Sequence, residues 1–302
     1  MEDHEGSVPY LGYQLYYRSV SPSAPHASIL TLHGGPGSSH DYLLSLQDLT
    51  RWGYRVVFFD QLGCGRSEIP PGTDLFTLEH NVAEAEAVRS ELGLDRVHLV
   101  GSSYGGLLAL AYAIQYSDRL RSLTTVGGLP DVPFAAAEMS RLLDQLAPED
   151  SQAIRRHELK GEFQHPDYLR AVDHFYHQFL CRLDPWPPEV SRSMQLCAER
   201  PVYPYMNGPN EFTISGTIRD IDLRPDLPKI RVPTLILGGK YDEVTPAVAE
   251  QIHSGIPGSR RITFPRSSHM PFWEEREAFM EAVAGFLTDV DGVAPGAAPE
   301  PR

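Results

Sequence analysis

The sequence predicts an α/β fold: a mostly parallel central sheet covered by helices, with a helical cap inserted before the last strands. Three observations predict it. Short, near-continuous apolar runs at 27–32, 54–59, 97–100, 120–126 and 234–237 alternate with helix-forming stretches, as parallel strands buried on both faces do. Several of these runs end in a glycine-rich loop. From about Leu129 to Lys229 the alternation gives way to helical periodicity rich in aromatics and histidine, broken by Pro185-Trp186-Pro187-Pro188 and Asn207-Gly208-Pro209-Asn210. The expected organisation is a core of residues 1–128 and 230–290, a helical cap of 129–229 and a disordered tail of 291–302.

In chain order, residues 10–18 are aromatic and partly alternating, an edge strand or hairpin. Ser21-Pro22-Ser23-Ala24-Pro25 turns the chain into strand 27–32, which runs into His33-Gly34-Gly35-Pro36-Gly37. Glycines there let backbone N–H groups approach a ligand, and Pro36 has none to offer. An amphipathic segment at 41–51 leads to strand 54–59 and a second glycine-punctuated loop, 60–67. Thr77 caps a helix reaching Leu92, with His80 where a capping box would carry Glu; its acidic residues predict a solvated outer face. Strand 97–100 ends in Gly101-Ser102-Ser103-Tyr104-Gly105 and passes into an apolar, Ala-rich helix. Strand 120–126 closes on Gly127-Gly128, and the cap follows over the sheet's C-terminal edge, where open α/β sheets bind ligands. Strand 234–239, a helix opening at Pro246, strand 261–264 and an amphipathic helix over about 273–287 complete the chain.

The 302 residues carry 40 Asp and Glu against 26 Lys and Arg, a formal charge of −14, which disfavours a nucleic-acid or anionic-membrane surface. The N-terminus lacks the positive start and apolar run of a signal peptide, and no stretch is long and apolar enough to span a bilayer, so a cytoplasmic protein is expected. Cys64, Cys181 and Cys197 show no metal spacing and are expected to be reduced, a Cys181–Cys197 bridge being the alternative in an oxidising compartment. Cys64 reads as a loop residue before a reactive thiol. His174 and His177 are i, i+3 on a helix without a third ligand, so packing is favoured over metal binding.

Gly-x-Ser-x-Gly between a strand and a helix places Ser103 on a strained turn with its hydroxyl free, a nucleophile's position. A serine hydroxyl needs a base within reach and a third group to orient that base. Ser103, Asp242 and His269 each follow a predicted strand, on one sheet edge, in the order Ser, Asp, His. His269 is expected to take the Ser103 proton and return it to the leaving amine, with Asp242 orienting it; Glu243 is the rival for that acid. The oxyanion is expected between the N–H of Tyr104 and that of Gly35. No metal or organic cofactor is called for.

These motifs carry a resemblance. The loop 33–37, Asp60-Gln61-Leu62-Gly63-Cys64-Gly65-Arg66-Ser67, the Ser103 turn, Gly239-Lys240-Tyr241-Asp242-Glu243 and Met206-Asn207-Gly208-Pro209-Asn210-Glu211-Phe212 resemble the proline iminopeptidase family of α/β hydrolases, and within it the tricorn-interacting aminopeptidases. The resemblance covers nearly the whole chain except its ends. It implies an α/β-hydrolase fold and a serine aminopeptidase that releases N-terminal residues, above all proline, from short peptides or amino-acid amides. It also implies that Glu211 and Glu243, with Gly34, bind substrate, the two carboxylates holding its free α-ammonium; exposed or salt-bridged acids are the alternative. Aromatic residues of the insert either wall a proline pocket or pack the cap. An amide or ester hydrolase with another substrate remains an alternative, as does a silent binding scaffold. Partnership with a larger protease is open.

Overall fold

The apolar runs become the inner strands of one eight-stranded sheet. The structure, a computed structural model, describes residues 1–293. The strands are β1 (Glu2–Tyr10), β2 (Tyr13–Ser21), β3 (Ala27–Leu32), β4 (Tyr54–Phe59), β5 (Val97–Ser102), β6 (Leu120–Val126), β7 (Thr234–Gly239) and β8 (Arg260–Phe264). Their spatial order is β1-β2-β4-β3-β5-β6-β7-β8. Only the β1–β2 and β2–β4 pairs are antiparallel. Because β4 lies on one side of β3 and β5 on the other, the order reverses between β3 and β5, which opens a crevice at their C-terminal ends.

The hairpin expected near residues 10–18 is longer than its signal. It turns at Leu11-Gly12, both at positive φ, and its first strand begins at Glu2. Most of β1 is exposed, so no apolar alternation announced it. The segment His40–Trp52 is a 3₁₀ helix under β4, and α1 (Leu78–Glu91) starts at Thr77, whose side chain accepts the His80 N–H. One expectation for α1 fails: its acids do not all face solvent, because Glu84 is fully buried.

Helix α2 (Tyr104–Gln115) is the central helix, with Leu107, Leu108, Ala109, Leu110 and Ala113 wholly buried. Burying each leucine contributes roughly 1.5–3 kcal/mol. Its close packing depends on small residues: a Cβ on Gly106 would lie 2.6 Å from Gly128 Cα. Between β6 and β7 come α3 (Val132–Leu142), α4 (Pro148–Glu158), α5 (Pro166–Phe179), α6 (Pro188–Ala198) and α7 (Val202–Met206). The apolar face of α5, with Tyr168, Val172, Phe175 and Phe179, joins the core cluster that includes α2.

After β7, α8 (Pro246–Gly255) covers the sheet. The single helix expected over 273–287 is instead α9 (Pro271–Glu274) and α10 (Arg276–Asp291). The break at Glu275 has a cause: Glu274 and Glu275 turn back to accept the hydroxyls of Ser268 and Ser267, both at 2.7 Å. The expected tail also starts too early, since Asp291 ends α10 and accepts from Tyr54 and pairs with His98 and Arg121. Residues 294–302 of that tail lie outside the described residues. No helix among the described residues is long and apolar enough to cross a membrane.

Candidate active site

Strand β5 passes directly into α2, so Ser103 must reverse the chain in one residue. It does so at φ 59°, ψ −127°, one of two non-glycine residues with positive φ among the described residues. Such a backbone costs on the order of 1–3 kcal/mol, held here by the packed strand and helix on either side. The turn is tight enough that a Cβ on Gly101 or Gly105 would strike backbone carbonyls.

The loop after β3 lies against this turn. A Cβ on Gly34 would lie 2.5 Å from both Ser103 Cβ and the Ser102 carbonyl. Gly34 is the one expected substrate-binding residue whose geometry argues otherwise. Its N–H donates to Tyr42 Oη at 2.7 Å and its carbonyl accepts from His33 Nδ1 at 3.2 Å. With both polar groups engaged, Gly34 provides closeness, not a contact for a ligand. Gly35 and Tyr104 each open a helical turn, where an N–H has no carbonyl a turn before it. Both border the crevice beside Ser103.

Asp242 follows β7 and His269 follows β8, neighbouring parallel strands. Asp242 Oδ1 lies 2.6 Å from His269 Nδ1 and accepts the Val244 N–H at 2.8 Å. Their loops close on each other because Gly239 has no side chain; a Cβ there would meet the carbonyls of Ser267 and Ser268. On the other side Gly127 gives room, since its Cβ would lie 2.5 Å from His269 Cε1. His269 Nε2 has no hydrogen-bond partner among the described residues and lines the cavity that Ser103 lines. Burial pulls the basicity of His269 down, but the charge and hydrogen bond of Asp242, then Glu243 and Glu211, outweigh it and raise the imidazole to about 9.

Glu243 is buried, its Oε1 3.9 Å from His269 Nε2 and its Oε2 without a partner among the described residues. Its backbone N–H donates to the carbonyl of Phe179 at the end of α5, tying the acid to the helical insert. Glu211 comes from that insert, after α7, and accepts from Tyr203 Oη at 2.6 Å. Burial, then the nearby Glu211 charge, push the Glu243 carboxyl well above the usual range, and burial raises that of Glu211 against the Tyr203 hydrogen bond. Ser103, His269, Glu211 and Glu243 line one cavity with Tyr42, Leu180, Val190 and Met194. A second lobe, also touching Ser103 and Glu211, is walled by Leu129, Met139, Ile214, Ile218 and Val244.

Tyr203 and Tyr42 are site residues that no motif singled out; Tyr203 fell among the aromatics expected either to wall the pocket or to pack the cap. Cys64, Cys181 and Cys197 are buried and unbridged, and burial pushes the Cys64 thiol well up, so it is no reactive nucleophile. His174 pairs with Asp150 at 2.7 Å, and His177 stacks on Trp186. Among the described residues one cluster has metal-ligand spacing, His157, His165 and Asp167 between α4 and α5. Arg156 already reaches His157 Nε2 at 3.2 Å and Asp167 at 3.8 Å there.

Comparison with known proteins agrees with this fold. A family model described as alpha/beta hydrolase fold matches residues 27–276. The proline iminopeptidase of Thermoplasma volcanium is 49% identical over 284 residues, 94% of this chain and 96% of that protein. The crystal structure of VinJ superposes with a TM-score of 0.91 at 35% identity, covering 95% of this chain and 99% of that one. That of the Mycobacterium smegmatis proline iminopeptidase gives 0.90 at 34% identity, with the same coverage. The chain belongs to the proline iminopeptidase family of α/β hydrolases.

Proposed function

We propose that the chain is a serine aminopeptidase, a prolyl aminopeptidase that releases N-terminal proline from short peptides or amino-acid amides. The observation that carries this reading is the pair Glu211 and Glu243 in the cavity of Ser103 and His269. Two carboxylates in a partly dry volume favour a cation, and the cation an unblocked peptide brings to a scissile bond is its α-ammonium. A blocked amine would leave both acids without a cation.

In the proposed reaction His269 Nε2 takes the Ser103 proton as Oγ attacks the carbonyl carbon of the first residue. Asp242, through Nδ1, holds the tautomer and stabilises the imidazolium. The tetrahedral oxyanion accepts from the N–H groups of Tyr104 and Gly35. His269 then protonates the leaving nitrogen, the C–N bond breaks, and water hydrolyses the acyl-enzyme by the same steps in reverse order of roles.

Residues 129–229 act as a unit that caps the site and supplies Glu211. Placement among the tricorn-interacting aminopeptidases rests on the motifs alone. Three unbridged buried cysteines suit a reducing compartment such as the cytoplasm.

The test is a paired panel of aminoacyl p-nitroanilides, proline included, each with a free and an N-acetylated amine, beside a p-nitrophenyl ester. Cleavage confined to free amines and led by proline is expected. Equal cleavage of blocked amines, or ester turnover alone, would keep the serine hydrolase and remove the aminopeptidase.

A further inference from the structure

The two N–H groups assigned to the oxyanion come from different loops, and a chain of buried hydrogen bonds runs between those loops behind the site. At one end Tyr104 Oη donates to Asn81 Oδ1 at 2.7 Å. Asn81 Nδ2 donates to Glu84 Oε1 at 3.3 Å, and the Leu62 N–H donates to Glu84 Oε2 at 2.9 Å. One residue earlier, Gln61 grips His33 twice: its N–H donates to His33 Nε2 at 3.0 Å and its side-chain amide to the His33 carbonyl at 2.9 Å. His33 Nδ1 donates to the Gly34 carbonyl at 3.2 Å. That carbonyl and the Gly35 N–H belong to one planar trans peptide, so they point in opposite directions. Holding the Gly34 oxygen therefore aims the Gly35 N–H.

Resting on the oxyanion assignment above, we propose that Glu84 is a positioning residue whose carboxyl joins the Tyr104 and Gly35 halves of the oxyanion hole. Its place in the fold supports this. Glu84 is fully buried on α1, and no cation pairs with it among the described residues. Burial pushes its carboxyl up to about 8, against the hydrogen bonds from Leu62 and Asn81. An apolar side chain would fill a buried helix face at lower cost, so the acid is worth its burial only as a pair of acceptors. Both acceptors are used, one toward each loop. Asn81, Gln61 and His33 are buried as well, which shields the chain of bonds from competing water.

At pH 9, above the raised Glu84 value, where both carboxylate oxygens accept, Glu84→Gln turns one acceptor into a donor, and Tyr104→Phe cuts the chain at its far end while keeping the ring. Each variant is compared with wild type per active site titrated with a fluorophosphonate. The measurements are kcat and KM on prolyl p-nitroanilide, with Ki for proline and for pyrrolidine-2-boronic acid, whose tetrahedral adduct places an oxygen in the hole. Removing a whole oxyanion donor costs about 10²–10³ in kcat, so a displaced one is expected to cost at least about ten-fold in Glu84→Gln and a few-fold in Tyr104→Phe. KM and the proline Ki stay within about two-fold, while the boronate Ki rises by the factor that kcat loses. An unchanged kcat per titrated site, or equal weakening of proline and boronate, overturns the proposal. If Glu84→Gln does not fold, Tyr104→Phe decides by the same ratio. Failure of wild type to label or to cleave prolyl p-nitroanilide refutes the proposed function instead.

Discussion

Glu243→Gln isolates the charge proposed to select the substrate. The replacement keeps the shape of a side chain that is buried beside His269, with one carboxylate oxygen unpartnered. An ammonium about 4 Å from a unit charge gains about 4 kcal/mol at an effective dielectric constant of 20. Glu211 shares that cation, and the glutamine carbonyl still accepts one hydrogen bond, so about 2–3 kcal/mol of the interaction is lost. At 1.4 kcal/mol per factor of ten, kcat/KM for prolyl p-nitroanilide should fall about 30- to 150-fold. The control is the cyclopentanecarbonyl p-nitroanilide, the same ring without the amine. For it the variant should not fall below wild type, because no cation is there to lose. A fall of less than about three-fold on the prolyl substrate, or an equal fall on both, would refute the ammonium site.

Further outcomes follow from the geometry. Ser103→Ala should remove at least about 10⁴ of turnover without lowering the melting temperature, measured by p-nitroanilide release and calorimetry. Asp242→Asn should cost a similar factor, since an amide donor toward Nδ1 selects the wrong imidazole tautomer; activity within ten-fold of wild type would reject the triad assignment. Gly34→Ala places a methyl 2.5 Å from Ser103 Cβ and a backbone carbonyl, so activity should drop by about 10² or more with a measurable loss of stability. The imidazole, raised to about 9, must be neutral to act as a base, so p-nitrophenyl acetate hydrolysis should climb with pH through neutrality. In Glu243→Gln, which removes one carboxylate, that ascending limb should move to lower pH.

The proposed triad was legible as a constellation because each member sits at a strand end, where a short apolar run stops at glycine, and the order Ser, Asp, His says which loops must meet. Glu211 was legible only through its resemblance-bearing segment, since nothing in local pattern says that a residue after α7 reaches Ser103. What the pattern misread shares one cause: tertiary partners. Glu84 looked like one more solvent-facing acid until Leu62 and Asn81 were found pointing at it. Its place three residues after Asn81, on the side of α1 that carries Val82, Ala85 and Val88, was the available signal. Glu274 and Glu275 looked like the first turn of one helix, yet the loop that carries His269 claims their carboxylates and breaks it. Gly34 was placed with the ligand-binding groups because glycine in such a loop permits two uses, an exposed N–H or a close approach, and only the Tyr42 and His33 bonds decide between them.

The ionisable groups of the site explain why one fold can serve an aminopeptidase with so little added. Asp242, Glu243, Glu211 and His269 occupy one water-poor volume, three acids against one base. Full ionisation would leave two uncompensated negative charges there, a state that burial opposes strongly. The raised carboxyls of Glu243 and Glu211 and the raised imidazole of His269 are two faces of that imbalance. A bound α-ammonium supplies one of the two missing positive charges. It favours ionised glutamate beside it and, by the same Coulomb interaction, disfavours the proton on His269, so the imidazole is a readier base when a cationic substrate is in place. Recognition and activation are then one electrostatic event, and an acylated amine would fail at both.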